Sequence, residues 1–394
     1  MNGKWKALVL IAIAELCALS LWFSGSVVAP ELINVWSVRD SSVSAWLSAA
    51  VPVGFVIGAL ISAYYGLADR FNARKVFALS ALIGAGLNGL LLWTDHAAIG
   101  IIVRVLTGMT LAGVYPTAVK LLSQWFPTKR GLAIGVLIAA LTIGSALPQF
   151  FVTIFSAVNW KLVIMTSSFL ALAAAGIVYW LLEDAPVAQK KASFSFHLIK
   201  EVIKNRPVML ANYGYFGHMW ELYAMWTWLP LFLAASFLTD SPTTSIAFVS
   251  FASFLAIGIA GGLGSVIGGL VADKVGRARL TIYSMAISAA CCVAIGFTFG
   301  QSIWLTWIIA LIWGASVIAD SAQFSAAVSE FADVEYIGTA LTFQMCVGFL
   351  ITIFSINLIP YAQLFLGWEW VFILLAIGPI LGIISMIRFN QYET

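Results

Sequence analysis

Charge is scarce in this sequence: 9% of its 394 residues are Asp, Glu, Lys or Arg, against 62% hydrophobic. A soluble domain of that length needs a polar coat that such a composition cannot supply, so a water-facing globular protein is excluded. Cysteine is equally thin. Cys17, Cys291, Cys292 and Cys346 show neither CxxC nor Cys/His metal spacing, and are read as packing residues. No nucleophile, metal or phosphate constellation appears, so an enzyme is the least expected reading and no cofactor is implied.

What is present is apolar length. A membrane span needs about 20 residues, and twelve runs qualify: 7–29, 42–65, 76–94, 98–123, 130–155, 162–182, 207–235, 245–271, 280–299, 302–328, 337–360 and 367–389. The first run is too long for a signal-peptide core and is read as a span. With the N-terminus inside, 16 of the 20 Lys and Arg fall on the cytoplasmic side, which predicts a multi-pass cell-membrane protein with both termini cytoplasmic. The net charge of +3 follows from that bias and implies no nucleic-acid partner. A monomer is expected.

The chain repeats itself. Gly66-Leu-Ala-Asp69-Arg70-Phe-Asn-Ala-Arg74-Lys75 returns as Gly269-Leu-Val-Ala-Asp273-Lys274-Val-Gly276-Arg277, with Asp69 and Asp273 204 residues apart, and the same offset pairs Gly54 with Gly258 and Gly58 with Gly262. At 206 residues, Glu15 to Trp22 in the first run matches Glu221 to Trp228 in the seventh; in nearby registers Gly131 and Ala133 match Gly338 and Ala340, and Trp160 matches Trp368. Two copies of one six-helix unit are therefore predicted, residues 1–182 and 207–394. They are joined by a cytoplasmic linker, 183–206, in which Phe196, Ile199, Val202 and Ile203 suggest a helix lying on the inner membrane face. The matched glycines offer surfaces on which helices approach closely. The basic loop after the second and eighth runs is suited to bond a neighbouring helix end in one state and release it in another.

On these residues the chain resembles a major facilitator superfamily transporter along essentially its whole length. The second loop copy keeps nearly all of that family's Gly-x-x-x-Asp-Arg-x-Gly-Arg signature; the first departs, with Asn72 and Ala73 at the Gly and Arg positions. Asn72, which tolerates a left-handed turn, is expected to preserve the bend. Arg104-x-x-x-Gly108, Ala112-Gly113-x-Tyr115-Pro116 and Gln124-Trp125-Phe126-Pro127-x-Lys129-Arg130-Gly131 are similar to the pattern of anion, nitrate and cyanate uptake branches. The resemblance implies an all-helical membrane fold of two pseudo-symmetric halves, with a substrate site near the midplane between them. It also implies alternating access around a cavity lined by helices 1, 4, 7 and 10. Gly66, Asp69, Arg70, Arg74, Gly269, Asp273, Lys274, Gly276 and Arg277 would then gate it.

Ionisable residues inside spans are retained where a cavity or partner receives them. Glu15 lies nine residues after Lys6, about 14 Å along a helix, close to the midplane. Glu221 is its duplicate, with His218, Met225 and Trp228 on the same helical face. Glu15, His218 and Glu221 are candidates for proton coupling, Asp320 for a gate or coupling acid, and Trp228 for a wall of the substrate pocket. Arg104 has no counterpart, since Ala310 occupies the equivalent place; it is the candidate to hold an anion or an acidic helix residue, with Tyr115 on its face. The leading expectation is proton-coupled (or sodium-coupled) movement of a small anionic solute across the lipid bilayer by symport. The rivals are a proton-linked exporter of an amphipathic or cationic compound and a non-transporting receptor on the same fold.

Overall fold

The computed structural model describes residues 3–38, 42–126, 130–155, 159–184, 195–333 and 335–393. Ten helical spans are distinct: α1 Gly3–Val27, α2 Ser42–Tyr65, α3 Ala73–Trp93, α4 Ala97–Trp125, α5 Leu132–Ile154, α6 Trp160–Leu181, α7 Arg206–Asp240, α8 Ile246–Val275, α9 Arg277–Thr298 and α10 Ile303–Phe331. An eleventh apolar stretch, Ile337–Glu393, has 57 residues. Straight, it would run about 85 Å, nearly three hydrocarbon thicknesses. It folds back at Gly367, whose φ of 67° and ψ of 176° no helix tolerates, and so divides into α11, Ile337–Trp370, and α12, Ile377–Glu393. Twelve crossings result.

Helix pairing shows the duplication directly. In the first half α2 packs on α4, α3 on α6 and α4, and α1 on α5 and α6; in the second, α8 packs on α10, α9 on α12 and α10, and α7 on α11 and α12. Adding six to each number of the first set gives the second. The halves meet through α2 with α11 and α5 with α8, two contacts that the pseudo-symmetry exchanges.

The matched glycines do not do matched work. Gly54 and Gly58 lie against the backbone of α4 at Val105 and Met109, with no room for a Cβ. In α8 that contact, made on α10 at Ala315 and Ala319, belongs to Gly264 and Gly268; Gly258 and Gly262 face Ala146 and Ile143 of α5 across the interface. A wider π-helical segment, Leu255–Ala260, lies at this point of α8 and turns its faces relative to α2.

Three of the four helices expected around the centre are interrupted. α1 breaks at Ser20, α4 at Ala112–Val114 ahead of Pro116, and α10 at Asp320. α7 is continuous over 35 residues. Of the linker, residues 185–194 lie outside the described residues; its C-terminal part contains a short helix, Ile199–Lys204, that buries Val202 and leaves Ile203 exposed.

Candidate functional site

Arg104 is fully buried in the first half. Its guanidinium donates to Leu21 O (2.9 Å), Trp22 O, Ser24 Oγ (3.2 Å) and Asn88 Oδ1 (3.1 Å). Asn88 also accepts from Ser24 Oγ at 2.7 Å and donates to Ser168 Oγ at 3.0 Å. Gly25 makes the space: a Cβ there would meet Arg104 Nε and Cδ within 3 Å. The charge is thus spent on joining α1, just past its break, to α3, α4 and α6, with only Nε left unbonded.

Glu221, the duplicate of Glu15, is also engaged, through one carboxyl oxygen. Its Oε1 accepts from Ser288 Oγ, Cys292 Sγ (3.1 Å) and Trp313 Nε1 (2.5 Å), all inside the second half. All four cysteines are free and buried, and Cys292 is a donor here besides packing. Trp228 donates to Ile356 O at 3.0 Å, tying α7 to α11. The helical face through Glu221 and Trp228 therefore turns toward its own half.

The face of α7 that meets the other half carries Tyr215, Tyr223 and Trp226. Tyr223 packs on Trp22 at 5.3 Å and on Phe23 at 6.4 Å; Trp22 and Phe55 pack on Phe349 of α11 at 5.6 and 4.6 Å. These rings form an aromatic seal between the halves. Beside it lie Glu15 and three phenols: Tyr115 is within electrostatic reach of Glu15, Tyr215 of Tyr115, and Tyr223 of both tyrosines. Glu15 is completely buried, and neither of its carboxyl oxygens has a partner among the described residues. The three hydroxyls make no hydrogen bond there either.

His218 Nδ1 stands 2.9 Å from Asp320 Oδ1, at the break in α10, each side chain 1% exposed. His218 Nε2 is unpartnered among the described residues. The imidazole packs on the rings of Tyr215 (6.0 Å) and Phe324 (5.5 Å), which also pack on each other at 6.1 Å. The pair therefore adjoins the tyrosine cluster. Sequence reasoning singled out Glu15, Tyr115, His218 and Asp320, which the fold brings near one another; Arg104, Glu221 and Trp228 lie in the scaffolds of their own halves. Of the α7 aromatics it favoured Trp228, on the Glu221 face, over Tyr215, Tyr223 and Trp226, and it did not single out Trp22 for the site. The available signal for Tyr215 and Trp226 was the stripe 215, 219, 222, 226 at helical spacing on α7.

The two signature loops differ. Asn72 takes φ −63° and ψ 120° and caps α3 by accepting from Arg74 N and Lys75 N, so it is not left-handed; Gly66, φ 61°, makes the bend instead. Arg74 bonds Leu182 O and pairs with Asp184 at 3.5 Å, supplying the contact that Ala73 lacks. In the second copy Gly276 (φ 93°, ψ 154°) starts α9, Glu393 accepts from Arg277 N (2.7 Å) and Ala278 N (2.8 Å), and the Arg277 side chain holds Glu330 and Gln323. Neither set of bonds crosses to the other half, although Arg74 reaches the linker at Asp184. Arg70, Asp273 and Lys274 are exposed, Gly269 meets nothing that a Cβ would strike, and the Asp69 side chain lies outside the described residues.

Known proteins resemble this chain across most of its length. The family described as "Major Facilitator Superfamily" matches residues 11–356. A gallate transporter of Pseudomonas putida is 25% identical over 335 residues, 74% of this chain and 71% of that protein. A hexuronate transporter of Bacillus subtilis (strain 168) is 24% identical over 254 residues, 60% of this chain and 58% of its own length; the 4-hydroxybenzoate transporter PcaK of Pseudomonas putida is 26% identical over 193 residues, 48% and 42%. The chain thus spans about half the length of the latter two. The crystal structure of nucleoside transporter NupG covers 98% of this chain, and 100% of that one is covered, at 16% identity and a TM-score of 0.72.

Proposed function

We propose that this chain, which belongs to the Major Facilitator Superfamily, imports a small organic carboxylate together with a proton, its halves 1–182 and 207–394 rocking about the cluster of Glu15, Tyr115, Tyr215 and Tyr223. One observation carries the reading: Glu15 is buried with both carboxyl oxygens unpartnered among the described residues, within electrostatic reach of Tyr115, which is linked in turn to Tyr215 and Tyr223 where the halves meet. The relatives named for gallate, hexuronate and 4-hydroxybenzoate support the substrate class, since all three compounds are carboxylates.

The chemistry follows from donors and charge. Phenolic O–H groups donate to a carboxylate without bringing a fixed cation, and the rings around them accept a flat organic body. A carboxyl with no partner at this depth is too costly to hold ionised, so Glu15 carries its proton while it is enclosed. An entering anion beside an ionised Glu15 would be repelled. Anion and proton therefore cross together, and release of one favours release of the other. His218 and Asp320, at the α10 break, form the second proton station and respond as the halves part. Arg74 and Arg277 brace the loops at the cytoplasmic ends of their halves, with both termini on that side of the cell membrane.

The full engagement of Arg104 favours a second reading. Without that cation at the centre, the acids there suit a proton-linked exporter of a cationic or amphipathic compound. Proteoliposomes with a pH gradient imposed in either direction separate the two. An inward proton gradient should accelerate uptake of radiolabelled 4-hydroxybenzoate or gallate, and Glu15→Gln should remove that acceleration while exchange across equal pH persists. Acceleration undiminished in Glu15→Gln would sink the coupling role; carboxylate uptake indifferent to the gradient, with cations driven outward, would favour the exporter.

A further inference from the structure

A large apolar groove lies away from the seam between the halves. It runs between α7, α11 and α12, has a volume of about 780 Å³, and faces the membrane: Tyr213, Leu350, Phe354 and Leu381 on its walls are each more than half exposed. Its floor is the place where α7 and α12 meet backbone to backbone, Gly217 against Gly378. Its lining is almost wholly apolar. Ser385, one of the few polar side chains in it, spends its hydroxyl on Leu210 O at 2.8 Å. At one end Trp220 Nε1 bonds Leu374 O at 3.0 Å and closes the groove. At the other end stands Arg388.

Arg206 joins it there. Residues 206, 210, 213, 217 and 220 fall on one stripe of α7 at helical spacing, and the Ser385 to Leu210 bond fixes α12 beside it. Arg206 therefore lies one turn beyond Leu210 on the side where Arg388 lies one turn beyond Ser385. Both arginines are exposed and neither has an ion pair among the described residues. Nearby acids are occupied: Glu201 pairs with Lys204, and Glu330 and Glu393 are bonded to Arg277. The groove from Leu210 to Trp220 is about 15 Å long at 1.5 Å per residue, half of a hydrocarbon core of about 30 Å. It has the length of one leaflet, an apolar bed, and two unpaired cations at the headgroup end.

We propose that this groove binds an anionic glycerophospholipid of the leaflet on the linker's side, its phosphate between Arg206 and Arg388 and an acyl chain lying along Tyr213, Phe354 and Leu381. Basic clusters at the end of a span attract anionic headgroups, and the attraction falls away within a Debye length. The site rests on the proposed orientation only for which leaflet supplies the lipid, and it is independent of the transported solute.

Native mass spectrometry of the purified full chain, released from micelles holding equal phosphatidylglycerol and phosphatidylcholine, tests it without a transport assay. One phosphatidylglycerol per chain should survive in preference to phosphatidylcholine. The pair Arg206→Gln with Arg388→Gln should weaken phosphatidylglycerol about thirtyfold, leaving phosphatidylcholine unchanged. Leu381→Trp, which fills the bed and keeps both charges, should reduce binding of both lipids. Equal retention of the two lipids by the unaltered protein, undiminished phosphatidylglycerol preference in the double variant, or full retention in Leu381→Trp would each overturn the site.

Discussion

Glu15 and Glu221 occupy equivalent places in the two repeats and both are buried, yet Glu221 Oε1 accepts from a serine, a cysteine and a tryptophan while Glu15 has no partner among the described residues. Arg104 and Ala310 form the complementary contrast. The first half invests a buried cation in four acceptors on α1 and α3, where the second has a methyl group in the same place. A buried polar group that is fully bonded holds a scaffold together, and one left unbonded is available to a ligand or a proton. Duplication supplied the same residues twice; divergence of their neighbours gave them different work.

The contrast can be broken hardest at Arg104. Arg104→Ala removes the donor for Leu21 O, Trp22 O and Asn88 Oδ1 in a fully buried site, and should cost about 4 kcal/mol. The melting temperature of the purified protein reads this, and a fall no larger than that of a surface Arg→Ala change would show that the network is not structural.

Next comes the pair of carboxyls. Glu15→Gln should lower proton-driven uptake at least tenfold, while Glu221→Gln, which keeps an oxygen for its three donors, should retain most of it. Equal losses in the two variants would mean that the environments do not divide structure from function. A smaller effect separates their neighbours. Trp313→Phe strips a donor from Glu221 and should destabilise by about 1.5 kcal/mol. Tyr115→Phe removes a hydroxyl that bonds nothing in the described structure, and should leave the melting point within about 0.5 kcal/mol of the parent while weakening substrate binding.

The twelve crossings and the duplication were legible in the sequence because length, basic-residue bias and register are local properties. Which way a helix faces is not local. A hydrophobic span has apolar residues all round, so nothing in α7 announced that Tyr215, Tyr223 and Trp226 meet the other half while Glu221 and Trp228 meet their own. Arg104 reads as open between an anion and a contact within the helices for a related reason. The acceptors that take it up, two main-chain carbonyls, Ser24 and Asn88, carry no signature. The loops misled least: Asn72 did preserve the start of α3, by capping it rather than by a left-handed turn.

Those loops give the finest comparison. Gly66 sits at φ 61° and ψ 37°, the left-handed helical well, which an L-residue enters at a cost of about 1 kcal/mol. Gly276 sits at φ 93° and ψ 154°, a region open essentially to glycine alone, where the cost is about 2 kcal/mol. Neither position is short of space: the atom nearest an added Cβ is Arg70 Nε at 3.8 Å for Gly66 and Glu393 Oε2 at 3.4 Å for Gly276. Gly276→Ala should therefore destabilise more than Gly66→Ala by about 1 kcal/mol, through backbone conformation and not through crowding. Gly66→Asn provides the control, because Asn tolerates the left-handed well, and it should recover part of the loss at 66. If instead both alanine variants melt alike, the two copies of the loop bend by equivalent means, and the divergence seen at Asn72 and Gly276 has no energetic counterpart.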